Sequence, residues 1–220
     1  MIIDFQLIIQ SLPRLLQGVI ATLKIAGIGC FIGLILGTLL ALMQTSHNKF
    51  LRIMVALYVT IIRGTPMLIQ ILCAYYILPQ CGIRLEALSV AIIAIGLNSA
   101  AYISQIIRSG ITSIGIGQFE AAKVLGFSTI DTTRYIILPQ ALRTVLPALG
   151  NEFVTLVKDS TLASVIGVAE LTKQGTSIIS VTYDAISIYF IVALLYLIIT
   201  STVSLIVAQL EKRTAYNAHD

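Results

Sequence analysis

Glu152 and Asp159 stand seven residues apart in the stretch ALRTVLPALGNEFVTLVKDSTLASVI. Seven positions make nearly two helical turns, so both carboxylates project from one face with Thr155 between them, and Lys158 from another. Two carboxylates on one helix face suit a cationic group, supplied either by a bound solute or by a basic side chain such as Lys158 or Arg63. A second polar stripe is Asn98, Tyr102 and Gln105, at i, i+4 and i+7 of an otherwise apolar segment. Amides and hydroxyls in that order can bind a polar solute but do not constitute a catalytic set. The two histidines, His47 and His219, are far apart in the chain, and Cys30, Cys73 and Cys81 lack metal-ligand spacing. No Gly-rich phosphate loop followed by Lys and Ser or Thr is present. The chain is therefore expected to have no catalytic residue, no metal site and no nucleotide of its own.

The elements that must position these groups are membrane helices. Of the residues, 57% are hydrophobic and 11% charged, where a soluble domain carries about 25% charge. The composition is that of an all-α integral membrane protein, read as a single domain over 1–220. Spans of roughly 20 apolar residues fall at about 15–43, 50–78, 87–107, 141–166 and 185–209, five transmembrane helices in all. The first carries Gly29, Gly33 and Gly37 at four-residue spacing, a stripe that lets another helix pack closely. Arg63-Gly64-Thr65-Pro66 interrupts the second, which is expected to be one broken helix. The fourth is the most polar, and the segment 167–184 reads as a polar loop. The start of the chain has no basic region and no cleavage site of a signal peptide. With the N-terminus outside and the C-terminus in the cytoplasm, eight basic residues lie inside against three outside. Topology thus accounts for the net charge of +4 without nucleic acid.

The same orientation puts the loop 108–141 in the cytoplasm. It reads as two short helices, 119–125 and 129–137, with Gly126 in a left-handed position between them and Ser128 or Thr129 capping the second. Ala121 and Ala122 admit a close partner surface and Glu120 offers it a charge; the alternative is an amphipathic helix lying on membrane lipid. The order Glu120-Ala121-Ala122, Gly126, Ile136, Leu138-Pro139 resembles the EAA loop of bacterial ABC-importer permeases. Arg63-Gly64-Thr65-Pro66 with Gln70, and Asn151-Glu152-Phe153 through Lys158-Asp159-Ser160-Thr161-Leu162, resemble the polar amino acid branch of that family, the histidine, glutamine and arginine type. Gln105 departs from it, standing where the branch often has Glu.

The resemblance implies a type I ABC-importer fold and a permease subunit in the bacterial inner membrane. It implies a cytoplasmic ATPase dimer carrying ATP and Mg, a periplasmic or lipid-anchored amino-acid-binding protein, and a second permease subunit, identical or related. Glu120, Ala121, Ala122 and Gly126 would then couple the ATPase to the membrane helices. Asn98, Glu152 and Asp159 are the expected substrate-binding residues. The two carboxylates favour a basic amino acid (arginine, lysine or histidine), with glutamine or another polar amino acid as the alternative. An ion-coupled carrier or a channel is the reading from a different class, but a carrier should show an inverted repeat and paired broken helices.

Overall fold

Asp4 begins the first helix by accepting the Leu7 N–H at 3.0 Å, so the helix starts well before the apolar run does. The computed structural model describes residues 3–46 and 48–216, with side chains as far as 209; His47, His219 and the end of the tail lie outside it. The helices are α1 (Phe5–Thr45), α2 (Lys49–Gly64), α3 (Met67–Ile77), α4 (Ala87–Thr112), α5 (Ile116–Val124), α6 (Thr129–Asp131), α7 (Leu138–Asp159), α8 (Leu171–Thr182) and α9 (Ala185–Tyr216). No strand occurs among the described residues.

Among the described residues, α1 and α4 share the most extensive interface. The glycine stripe makes it possible. A β-carbon at Gly33 would lie 2.7 Å from Ser99 Oγ, one at Gly37 2.9 Å from the Ala100 carbonyl, and one at Gly29 2.8 Å from Ile95. α4 reciprocates with Gly96 against Ile32. With lipid on the outside, such close backbone approach, and not hydrophobicity, holds helices together. Ile25, Ile71, Ile95 and Leu156 are fully or nearly fully buried where α1, α3, α4 and α7 meet.

The break at Arg63–Pro66 is deeper than a kink: the axis turns by 103° between α2 and α3. α1, α4 and α9 are long and apolar enough to cross a membrane, and the bent pair makes a fourth span if counted as one. The fifth expected span, α7, has the length, since 22 residues make about 33 Å. It lacks the apolarity, because Pro147, Asn151, Glu152, Lys158 and Asp159 all lie on it. Apolar length alone therefore supports at most four of the five.

The segment expected as a polar loop, 167–184, is corrected by the structure. α8 occupies most of it and packs on α1 and α9. Glu170 caps it from a fully buried position, accepting the N–H groups of Thr172 at 2.9 Å and Lys173 at 2.7 Å. The Tyr196 hydroxyl donates to the same carboxylate at 2.9 Å. Gly18 of α1 lies directly beneath Leu171, where a β-carbon would come within 2.7 Å of the backbone. A buried acid thus has its acceptor capacity filled by helix-terminal donors and one phenol, the condition for tolerating it there.

Candidate functional site

Pro66 has no N–H to offer the carbonyl of Ile62, four residues before it. Gln70, one turn into α3, makes good the loss. Its Nε2 donates to the Ile62 carbonyl at 2.8 Å and to Thr65 Oγ1 at 2.8 Å. Its Oε1 accepts from Asn98 Nδ2 at 2.9 Å. The break between α2 and α3 is thereby tied to the middle of α4. Removing the amide leaves a backbone carbonyl and a buried Asn unpaired, at about 1–3 kcal/mol each. Gln70→Leu is expected to lower the thermal midpoint of the detergent-solubilised protein by several degrees. A midpoint equal to the wild type's would mean that the break is held by other groups.

The broken helix opens a cavity of about 410 Å³. Arg63 to Met67 line one side, Asn98 and Tyr102 of α4 a second, and Glu152, Thr155 and Asp159 of α7 the third. The three residues singled out from sequence as a substrate site, Asn98, Glu152 and Asp159, thus face one space. Arg63 joins them, its guanidinium carbon 5.1 Å from the Tyr102 ring centroid. Stacking on an aromatic face holds a guanidinium in place while leaving its edge donors for another group.

Each polar group keeps capacity for a guest. Glu152 Oε1 accepts from Ser99 Oγ at 3.1 Å, leaving the carboxylate its other acceptor sites. Asn98 has committed one amide hydrogen to Gln70. The Thr155 hydroxyl donates to the Asn151 carbonyl at 3.0 Å and retains its own oxygen as an acceptor. Asp159 is the last residue of α7. The chain runs on from it into a 3-10 turn over Ser160–Ile166, so what this end of the cavity offers a cation is the carboxylate charge itself, with Lys158 as its neighbour. Gln105 does not belong to the cavity: it donates to Gln44 Oε1 at 3.1 Å and so ties α4 to α1. Arg63, which the sequence offers as a candidate partner of the two carboxylates, is brought by the break into the same cavity as Glu152 and Asp159.

The loop after α4 is built by two local signals. The Phe127 N–H bonds the Ala122 carbonyl at 3.0 Å and the Gly126 N–H the Lys123 carbonyl at 3.1 Å, with Gly126 at φ +80°. This is a Schellman ending of α5. Ser128 Oγ accepts the Asp131 N–H at 3.1 Å and donates to the Asp131 carboxylate at 2.6 Å, which caps α6. The second helix is not a separate piece as expected. Thr129–Asp131 runs through a wider turn at Thr132–Ile137 straight into α7. Any push on this loop therefore acts on the helix that carries Glu152 and Asp159. Ala122 is buried, whereas Glu120, Ala121 and a run of apolar residues are exposed, among them Val124 at 86% and Ile130 at 77%. Apolar side chains so exposed on a polar loop are open to a partner surface or to membrane lipid.

The chain belongs to the family of binding-protein-dependent transport system inner membrane components, whose model matches residues 29–216. Members are the membrane-embedded permease subunits of ABC importers, in which a separate ATPase hydrolyses ATP. Over 212 residues the chain is 40% identical to the glutamine transport system permease protein GlnP of Escherichia coli (strain K12), covering 96% of this chain and 97% of that one. Over 216 residues it is 35% identical to the arginine transport system permease protein ArtQ of Bacillus subtilis (strain 168), covering 98% and 99%. The crystal structure of an amino acid ABC transporter with histidines contains a chain that superposes with a TM-score of 0.92 at 40% identity, covering 97% of this chain and all of that one.

Proposed function

We propose that this chain is the permease subunit of an ATP-driven importer of polar amino acids, and that its substrate is a basic one. The observation that carries the reading is the charge of the cavity lining, two carboxylates, Glu152 and Asp159, to one cation, Arg63, with Lys158 next to Asp159 but outside the lining. Arg63 and the remaining amide hydrogen of Asn98 suit an α-carboxylate. One acid suits the α-ammonium group, and the other is left for a cationic side chain. A neutral side chain such as that of glutamine would leave one carboxylate desolvated without a counter-charge, which is costly in a membrane interior. The GlnP relative supports glutamine and the ArtQ relative arginine; the excess acid is the ground for preferring the second.

The chain works as one domain of five crossings in the inner membrane, with its N-terminus outside. α7 is the fifth crossing, its polar face turned to the cavity. Glu120, Ala121, Ala122 and Gly126 form the seat for an ATPase dimer that carries ATP and Mg. Because that seat continues into α7, closure of the ATPases would tilt the carboxylates and open the cavity outward toward an amino-acid-binding protein. A second permease subunit, identical or related, completes the path. The test is ATP-driven uptake by the reconstituted transporter in competition with each of the common amino acids. Arginine, lysine and histidine are expected to compete more strongly than glutamine. Competition by glutamine alone would overturn the charge argument, and uptake driven by an ion gradient through this chain alone would overturn the importer.

A further inference from the structure

Toward the C-terminal end of α4, a second cavity of about 460 Å³ is walled, among the described residues, by charge of one sign. Lys49, Arg52, Ile53 and Ala56 line it from α2, Gln44 from the end of α1 and Arg108 from the end of α4. The α2 residues follow i, i+3, i+4 and i+7, a single helix face, while Val55 and Val59 are buried on the other side. Among the described residues, no acidic residue lines the cavity. Among the described residues, the side chains of Lys49, Arg52 and Arg108 have no hydrogen-bond or ion-pair partner. Gln44 is held in place by Gln105 at 3.1 Å.

Three cations converging without a counter-charge repel one another unless an anion joins them. The lining residue Ile53 is 51% exposed, and Phe50, three residues before it on α2, is 67% exposed. Apolar surface next to unpaired cations, where the apolar run of α1 ends and that of α2 begins, matches an acyl chain joined to an anionic headgroup. The start of α2 adds its own positive end, with Lys49 as the first helical residue.

We infer that this cavity binds the phosphodiester of an anionic phospholipid, with Lys49, Arg52 and Arg108 as its cationic ligands. The lipid ties the ends of α1, α2 and α4 together at the membrane surface. None of the three cations lines the Glu152 cavity, so this site stands independently of the substrate assigned to that cavity.

The experiment purifies the intact transporter in detergent from membranes containing phosphatidylglycerol and phosphatidylethanolamine, and measures the ratio of the two lipids retained. The wild type is expected to be enriched in phosphatidylglycerol over the bulk membrane. Each of Lys49→Gln, Arg52→Gln and Arg108→Gln should lower the enrichment by up to roughly fivefold, and the triple variant should abolish it. Lys173→Gln, on α8, is the control and should change nothing. Excess inorganic phosphate should not displace the lipid, because it lacks the acyl chains. If the triple variant fails to insert, the single variants decide the matter. No enrichment in the wild type, or enrichment unchanged by the substitutions, overturns the proposal. Displacement by inorganic phosphate overturns it in favour of a soluble anion. Loss of the ATPase subunit from the variants with lipid enrichment intact overturns it in favour of a protein contact.

Discussion

Gly126→Val is expected to leave the protein inserted and assembled while cutting transport per ATP hydrolysed by roughly five- to thirtyfold, the range for about 1–2 kcal/mol of strain placed on one coupling turn. The reason is conformational and not steric. Gly126 sits at φ +80°, and a β-carbon added there would meet nothing within 4 Å. A β-branched residue cannot hold this left-handed position cheaply, so the Schellman ending opens and α5 loses its fixed angle to Ser128. Asn tolerates the same region, so Gly126→Asn should retain most of the coupling. The measurement is ATPase activity and amino acid uptake on the same proteoliposomes. Equal loss in Val and Asn variants would mean that space at the partner surface, and not backbone angle, sets the requirement. Glu120→Lys tests the charge of the same exposed surface without touching the turn, and should also separate hydrolysis from uptake.

The second large effect is expected at the cavity. Glu152→Gln keeps the shape and still offers an oxygen to Ser99, so the fold should survive. It removes one charge. A hydrogen bond to a charged partner contributes about 1.5–3 kcal/mol, so the KM for a basic amino acid should rise by roughly ten- to a hundredfold. Uptake of glutamine, if any, should change by much less. Equal loss for both substrates would mean that Glu152 orders the helices and does not read the side chain. Asp159→Asn should act in the same direction, because it removes the charge at the end of α7.

Much of this is readable in the linear chain because membrane helices are written in local terms. The length of an apolar run sets a span, and the spacing of Gly29, Gly33 and Gly37 shows where α1 lets a neighbour in. Gly126 and Ser128 belong to turn chemistry whose partners lie within five residues, so the ending of α5 and the cap of α6 are foreseeable. α8 is not, although Leu171, Gly175 and Ile178 do carry a helical period. Twelve residues rich in Ser and Thr look like a loop until one sees that Thr22, Gly18 and Tyr196 receive them. Glu170, a residue type seldom found as a helix cap, is explained only by those distant partners. The true angle at Arg63–Pro66 is also beyond local reading, since a proline announces a break without giving its direction.

The sequence by itself determined that the chain is a helical membrane protein, that its polar residues must face inward, and that the helix carrying Glu120 ends at Gly126. Each of these follows from composition or from contacts within a turn or two. The tertiary structure decided that Arg63, Asn98, Glu152 and Asp159 share one cavity, that Gln70 replaces the donor Pro66 lacks, and that the loop after α4 continues into α7. Those facts depend on how far α2 and α3 swing apart and on which faces α4 and α7 present. These are sums of many weak packing contacts between residues far apart in the chain, and no local pattern records them.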